Sequence, residues 1–146
     1  MLIIIYNNKI KMSIRKDLFK IEINENLYLL VFHKALSIGF GPAVSIYIDE
    51  HEFMKFDCFG KSKGHYHIYD IKKNQTIYFS EISVHDQIHR TGLEITQNLK
   101  NYISKSKLNK VKNLCSENFE NISIDKINIM KNKMMEYEEK YYINLR

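Results

Sequence analysis

Apolar and polar residues alternate through the first half of the chain and recur at helical spacing through the second, which predicts a sheet followed by helices. Leu2–Tyr6 is an apolar, β-branched run that reads as a strand. The following Lys11–Lys20 has no strong cap, turn or period and receives no assignment. Alternation at Ile21 and Ile23, an Asn24-Glu25-Asn26 turn, and Leu29, Val31 and His33 on one parity make Ile21–Leu36 a hairpin or one long bent strand. Gly39-Phe40-Gly41-Pro42 reads as a loop, because glycine permits unusual dihedrals and proline removes a donor. Ala43–Asp49 then alternates Val44, Ile46 and Ile48 against Ser45 and Tyr47, the pattern of a half-buried strand. A polar turn at Asp49–Glu52 leads into a strand at Phe53–Phe59. A flexible turn at 60–64, a strand at His65–Ile71 and a short strand at Thr76–Phe79 complete an antiparallel meander.

The helical half opens at Ser83-Val84-His85-Asp86, where Ser83 can cap exposed N–H groups and Asp86 suits the helix dipole. Val84, Ile88, Ile95 and Leu99 form one stripe, with Thr91 and Tyr102 on the same side, and the helix fades near Ser104. The basic segment 105–112 reads as a solvent-facing continuation or linker. A second helix is expected at Ile124–Tyr142, with Ile127, Met134, Tyr137 and Tyr141 near one face. The expected fold is a single α+β domain over 1–146: an uncertain segment over 1–20, mainly strands over 21–80, and two or more helices over 83–146.

Composition leaves that picture intact. A chain of 146 residues with 45% hydrophobic and 27% charged residues, one proline and five glycines is ordinary globular material. Its abundance of Ile, Asn, Lys and Tyr is what an AT-rich genome would give. The formal charge of +5 attracts phosphate, which makes RNA a candidate partner. Only Arg15, Arg90 and Arg146 are arginines and the lysines are scattered, so a solvated basic surface is the simpler reading. Cys58 and Cys115 make no CxxC motif or disulfide framework, which fits a reducing cytoplasm. The opening MLIII stops at Asn7, too short for a signal-peptide core or a membrane span, and Met12 is an alternative translational start.

Candidate chemistry concentrates in Phe53–Tyr69, FMKFDCFGKSKGHYHIY. On a strand, His65 and His67 share a face, as do Lys55, Asp57 and Phe59, while Phe56 and Cys58 take the other. Hairpin register decides whether Asp57 or Cys58 meets the histidines. Downstream, His85 and His89 lie four apart on one helix face. If the two pairs converged, His65, His67, His85 and His89 would suit zinc, with Asp57 in or beside the coordination sphere. The HxxxH lacks the internal Glu of a metalloprotease. A metal-free alternative uses His65 and His67 as acid and base on an RNA 2′-hydroxyl and leaving oxygen. Lys55, Lys63 or Arg90 would then stabilise phosphate charge, and Tyr66 and Tyr69 would offer stacking surfaces. Against both stands plain packing, in which Tyr66 and Ile68 point inward and the histidines and Tyr69 decorate the opposite face. Cys58, flanked by large apolar residues, reads better as an inert buried thiol than as a nucleophile. His33 reads as a hydrogen-bonded histidine at the core edge. His51, among acidic neighbours, reads as an exposed turn residue or a further metal ligand.

Lys55-Phe56-Asp57-Cys58-Phe59 followed by Gly64-His65-Tyr66-His67 resembles a group of uncharacterised small bacterial proteins with a basic–Phe-Asp-Cys–aromatic segment and a nearby His-Tyr-His. The resemblance spans roughly 41–102 and implies a compact sheet-plus-helix domain. The same region is more remotely similar to TumE-like toxins of toxin–antitoxin systems, with Phe56-Asp57, Gly60, Gly64 and His65-Tyr66-His67 matching their pattern. Cys58 stands where those toxins usually carry an amide, the intervening turn is short, and His85/His89 is no part of the pattern. The leading reading is a cytoplasmic, toxin-like protein acting on RNA, with His65 and His67 catalytic and Asp57 orienting one of them; the toxin resemblance adds an antitoxin as candidate partner. A protein-interaction or inhibitor module, using the basic sheet face or Met134 and Tyr137 of the last helix, is the alternative. A histidine-bound metal module is the third.

Overall fold

A computed structural model describes the backbone over residues 2–6, 9–116 and 119–145 and side chains over 14–114 and 119–142. The fold is a single α+β domain in which an antiparallel meander precedes helices. The strands are β1 (Leu2–Tyr6), β2 (Lys9–Glu22), β3 (Leu27–Leu36), β4 (Gly39–Ile48), β5 (His51–Asp57), β6 (His65–Ile68) and β7 (Gln75–Tyr78), hydrogen-bonded in chain order. Each neighbour pair is antiparallel, so short turns suffice and no crossover is needed. The helices are α1 (Val84–Ser104), α2 (Asn109–Ser116) and α3 (Ile124–Leu145).

Where the sequence pattern was weak, pairing decided the outcome. All of the unassigned Lys11–Lys20 lies within β2, which pairs with β3 across a bulge between Lys16 and Phe19. Asp17 in that bulge has a positive φ of 56°. Its carboxylate receives bonds from Lys140 and Tyr141 of α3 at 2.6 Å, and its carbonyl accepts from the Tyr137 hydroxyl. The helix thereby clamps the irregularity that bends the strand.

The Gly39–Pro42 loop is corrected: the chain reverses at Ser37-Ile38, and β4 already begins at Gly39. A Cβ on Gly41 would sit 2.3 Å from the Cys58 carbonyl oxygen, so the glycine there permits close strand approach. Pro42 still accepts from the Cys58 N–H at 3.0 Å. The polar turn after β4 is likewise tighter than expected. Asp49 and Glu50 take positive φ values of 52° and 66°, the signature of a two-residue hairpin loop, and His51 opens β5.

Two faces result. Leu29 and Val31, Val44 and Ile46, Met54 and Phe56, and Tyr66 and Ile68 share the face covered by helices, joined there by Ile88, Ile95, Leu99, Ile127, Met130 and Met134. The Ser83 hydroxyl accepts from the Asp86 N–H at 3.0 Å, as expected of the cap, and α1 ends at Ser104. The stretch read as linker instead turns at Lys105 and at Asn109 enters α2, which buries Val111. The other sheet face carries Phe32, Lys34, Ala43, Ser45, Lys55, Asp57, His65 and His67. Among the described residues no helix is long and apolar enough to cross a membrane.

Candidate functional site

Register answers the question the sequence left open. Asp57 pairs with His65 and Lys55 with His67, so Asp57 joins both histidines on the polar face while Cys58 falls on the opposite one. Cys58 is fully buried against Thr91, 3.5 Å from its hydroxyl, and burial pushes its thiol up to about 12. It is an inert core residue.

The turn that aims the histidines is held from α1. The Gln87 side chain accepts from the Gly60 N–H at 3.0 Å and donates to the carbonyls of Gly60 and Glu81 at 2.9 Å. A Cβ on Gly64 would sit 2.0 Å from that amide oxygen, and Gly60 has a φ of +87°. Both glycines of the motif are therefore structural requirements of this turn.

Asp57 is completely buried. One of its oxygens lies 3.1 Å from the Lys34 ammonium and 3.3 Å from His65 Nε2, while the other has no hydrogen-bond partner among the described residues. Burial alone would raise its pKa, but the His65 bond and the charges of Lys34 and Lys55 outweigh that and hold it below the carboxylate range. Lys34 is itself drawn down to about 8, by burial first, with Asp57 offsetting part of the cost. His65 Nδ1 lies 2.7 Å from the Lys63 carbonyl. Its two nitrogens thus face a carbonyl and a carboxylate, both acceptors, and satisfying both requires the imidazolium. Burial opposes that charge, yet the bonds to Asp57 and Lys63 raise the His65 pKa.

His67 is the opposite case. Its ring meets His65 edge-on with centroids 4.9 Å apart, and its Nδ1 lies 3.0 Å from the Thr76 hydroxyl. Burial, then the charges of Lys55 and His65, pull its pKa down to about 4, so it is neutral at pH 7. Tyr69 stacks on His67 at 5.6 Å, Lys55 approaches Tyr69 at 6.0 Å, and the exposed Tyr78 leans on His65 at 5.5 Å. One donor atom from each of Asp57, His65 and His67 lies within 4.8 Å of the others, a group that could hold a metal ion.

Several candidates go elsewhere. His85 and His89 are exposed on α1 and do not join that group. Tyr66 is buried on the apolar face, stacked on Phe56 at 4.9 Å, because side-chain direction alternates along the strand. Arg90 lies on α1, in the layer on Tyr66's side of the sheet, 3.5 Å from Glu94. Lys63 is exposed in the turn and contributes its carbonyl. His51 bonds Asp70, and His33 stacks on Tyr141 at 4.0 Å. The Cys115 side chain lies outside the described residues. Lys34, Thr76 and Tyr78 were not anticipated, since only strand pairing brings them to the histidines. A lysine inside the apolar run LYLLVFHKAL was the one signal for Lys34.

The class defined by this geometry is a seven-stranded meander, layered with helices on one face and carrying a buried Asp–Lys–His cluster on the other. The chain belongs to the domain-of-unknown-function family DUF7700, which matches residues 10–129 and spans all the residues of the cluster. No curated protein and no solved structure matches the chain.

Proposed function

We propose that the polar sheet face cleaves RNA by metal-free acid–base chemistry in the cytoplasm, with His67 as base and His65 as acid. The observation that carries this reading is the geometry of two edge-on histidines beside one buried carboxylate: both ring nitrogens of His65 face acceptors, whereas His67 Nδ1 meets the Thr76 hydroxyl. His67 takes the proton of a 2′-hydroxyl, whose oxygen attacks phosphorus to give a 2′,3′-cyclic phosphate. The departing 5′-oxygen receives the proton on His65 Nε2, whose 3.3 Å contact with Asp57 is longer than the 2.7 Å tie of Nδ1 to Lys63. Asp57 orients the acid, and Lys55 stabilises charge on phosphate. Tyr69 and the exposed Tyr78 supply stacking surfaces for unpaired bases. The likeness of Phe56-Asp57, Gly60, Gly64 and His65-Tyr66-His67 to TumE-like toxins points the same way.

Charge balance favours this over a metal module. Lys34, Lys55 and His65 are three basic groups acting on the carboxylate of Asp57, with Glu52 as the further carboxylate acting on Lys55, a balance that favours phosphate over a divalent ion. The second reading retains one supporting observation. Nδ1 of both histidines is tied to an outer partner, Lys63 or Thr76, as metal-ligating imidazoles usually are.

The test incubates the purified untagged protein with total RNA, with and without chelator, beside His67→Ala and the His65→Ala/His67→Ala double variant. Chelator-resistant cleavage that both variants lose is the expected result, with His67→Ala still unfolding in one cooperative urea transition near pH 7. Cleavage abolished by chelator, with stoichiometric zinc in the protein, would transfer the site to the metal reading. Absence of cleavage would end the enzymatic one.

A further inference from the structure

On the helical side of the molecule, a groove of about 930 Å³ runs between Gly60, the first turn of α1 and the outer side of α3. Its apolar lining includes Ile82, Val84, Met135 and Tyr142, of which Ile82 and Tyr142 are 64% and 54% exposed. These apolar side chains converge from two separate elements on one concave site. Glu136 and Glu139 stand on its rim, and among the described residues no lysine or arginine lines it. In a chain of net charge +5, this is a local reversal of sign.

We infer that this groove docks a lysine- and arginine-rich amphipathic helix of a protein partner. Apolar residues three and four apart on such a helix fit between Ile82, Val84, Met135 and Tyr142, while its basic flanks reach Glu136 and Glu139. The N-terminus of α1 by itself would favour an anion, but Ser83 caps it and Asp86 occupies its first turn. Glu136 is shared with Lys133 at 3.3 Å, whereas Glu139 makes no ion pair among the described residues. Nucleic acid is disfavoured because phosphates would face these carboxylates.

This surface differs from the one expected in the last helix. Met134 and Tyr137 are buried against the sheet, and the available face of α3 is the one carrying Met135, Glu139 and Tyr142.

The test uses the full-length protein and two fluorescein-labelled helical peptides of identical apolar pattern, one leucine–lysine and one leucine–glutamate, followed by anisotropy at low and high salt. The lysine peptide should bind and the glutamate peptide should not, with binding weakened by salt. Glu136→Lys/Glu139→Lys should weaken it by about tenfold, a loss of about 1.4 kcal/mol. Both residues are exposed, so an unchanged thermal melt is expected to accompany that loss, and Met135→Ala tests the apolar floor separately. Equal binding of both peptides, no binding, or indifference to the charge reversal would overturn the inference. Self-association of the wild type that the double variant loses would also overturn it, by assigning the groove to a second copy.

Discussion

The two faces of the sheet are built from the same strands and obey different physics. In His65-Tyr66-His67-Ile68, Tyr66 and Ile68 enter a dry core while His65 and His67 enter a charged cluster. Phe56-Asp57-Cys58 repeats the division one strand away. On the apolar face a neighbour contributes area, and a substitution loses roughly what it removes from water plus the cavity left behind. On the polar face each group contributes through its partner, so removing one member leaves another charged and desolvated. Burial thus stabilises one face and tunes the acidity of the other.

The largest expected effect is on the apolar face: Phe56→Ala should lower unfolding free energy by about 3–5 kcal/mol in urea denaturation. Asp57→Ala should cost about as much or slightly less, ~3–5 kcal/mol by precedent for broken buried pairs, although it removes far less apolar surface. Replacing the pair together, Lys34→Met with Asp57→Leu, should recover much of that loss. If Asp57→Ala alone were harmless, the two faces would not differ as argued.

A sharper test is pH. Asp57, lowered in the fold, contributes stability above the ordinary carboxylate range, lost as pH falls through its folded pKa. His67 falls from 6.5 to about 4, so the unfolded chain binds the extra proton in that window and stability rises with pH across it. His65 has the opposite sign: its contribution is complete below 6.5 and is lost as pH rises through its raised folded pKa. Urea midpoints against pH should therefore flatten between 4 and 6.5 in His67→Ala, and proton NMR should show the two imidazoles titrating on opposite sides of 6.5.

Smaller still is the effect of chemical labelling. In a Cys115→Ser background, Cys58 should resist a thiol reagent until the protein unfolds, because its thiol is fully buried and its pKa is pushed up to about 12. The smallest effect belongs to His85→Ala and His89→Ala, which should change stability by less than about 0.5 kcal/mol and leave any RNA cleavage intact. Loss of cleavage in either would move the site off the sheet.

The alternation of apolar residues, the Ser83 cap and the stripe on α1 were legible because they are local: each depends on residues within a few positions of one another. Even the shared face of His65 and His67 needed only the period of a strand. Where that period was blurred, as across the β2 bulge, or where glycine and proline imitated a loop, local reading failed. Pairing with a neighbouring strand overrode it. The cluster itself was beyond the sequence. Whether Asp57 or Cys58 meets the histidines depends on one residue of register, and Lys34 arrives from two strands away. Strand period assigns a residue to a face; only the pairing of strands distant in sequence decides which charges share that face closely enough to shift one another's protons.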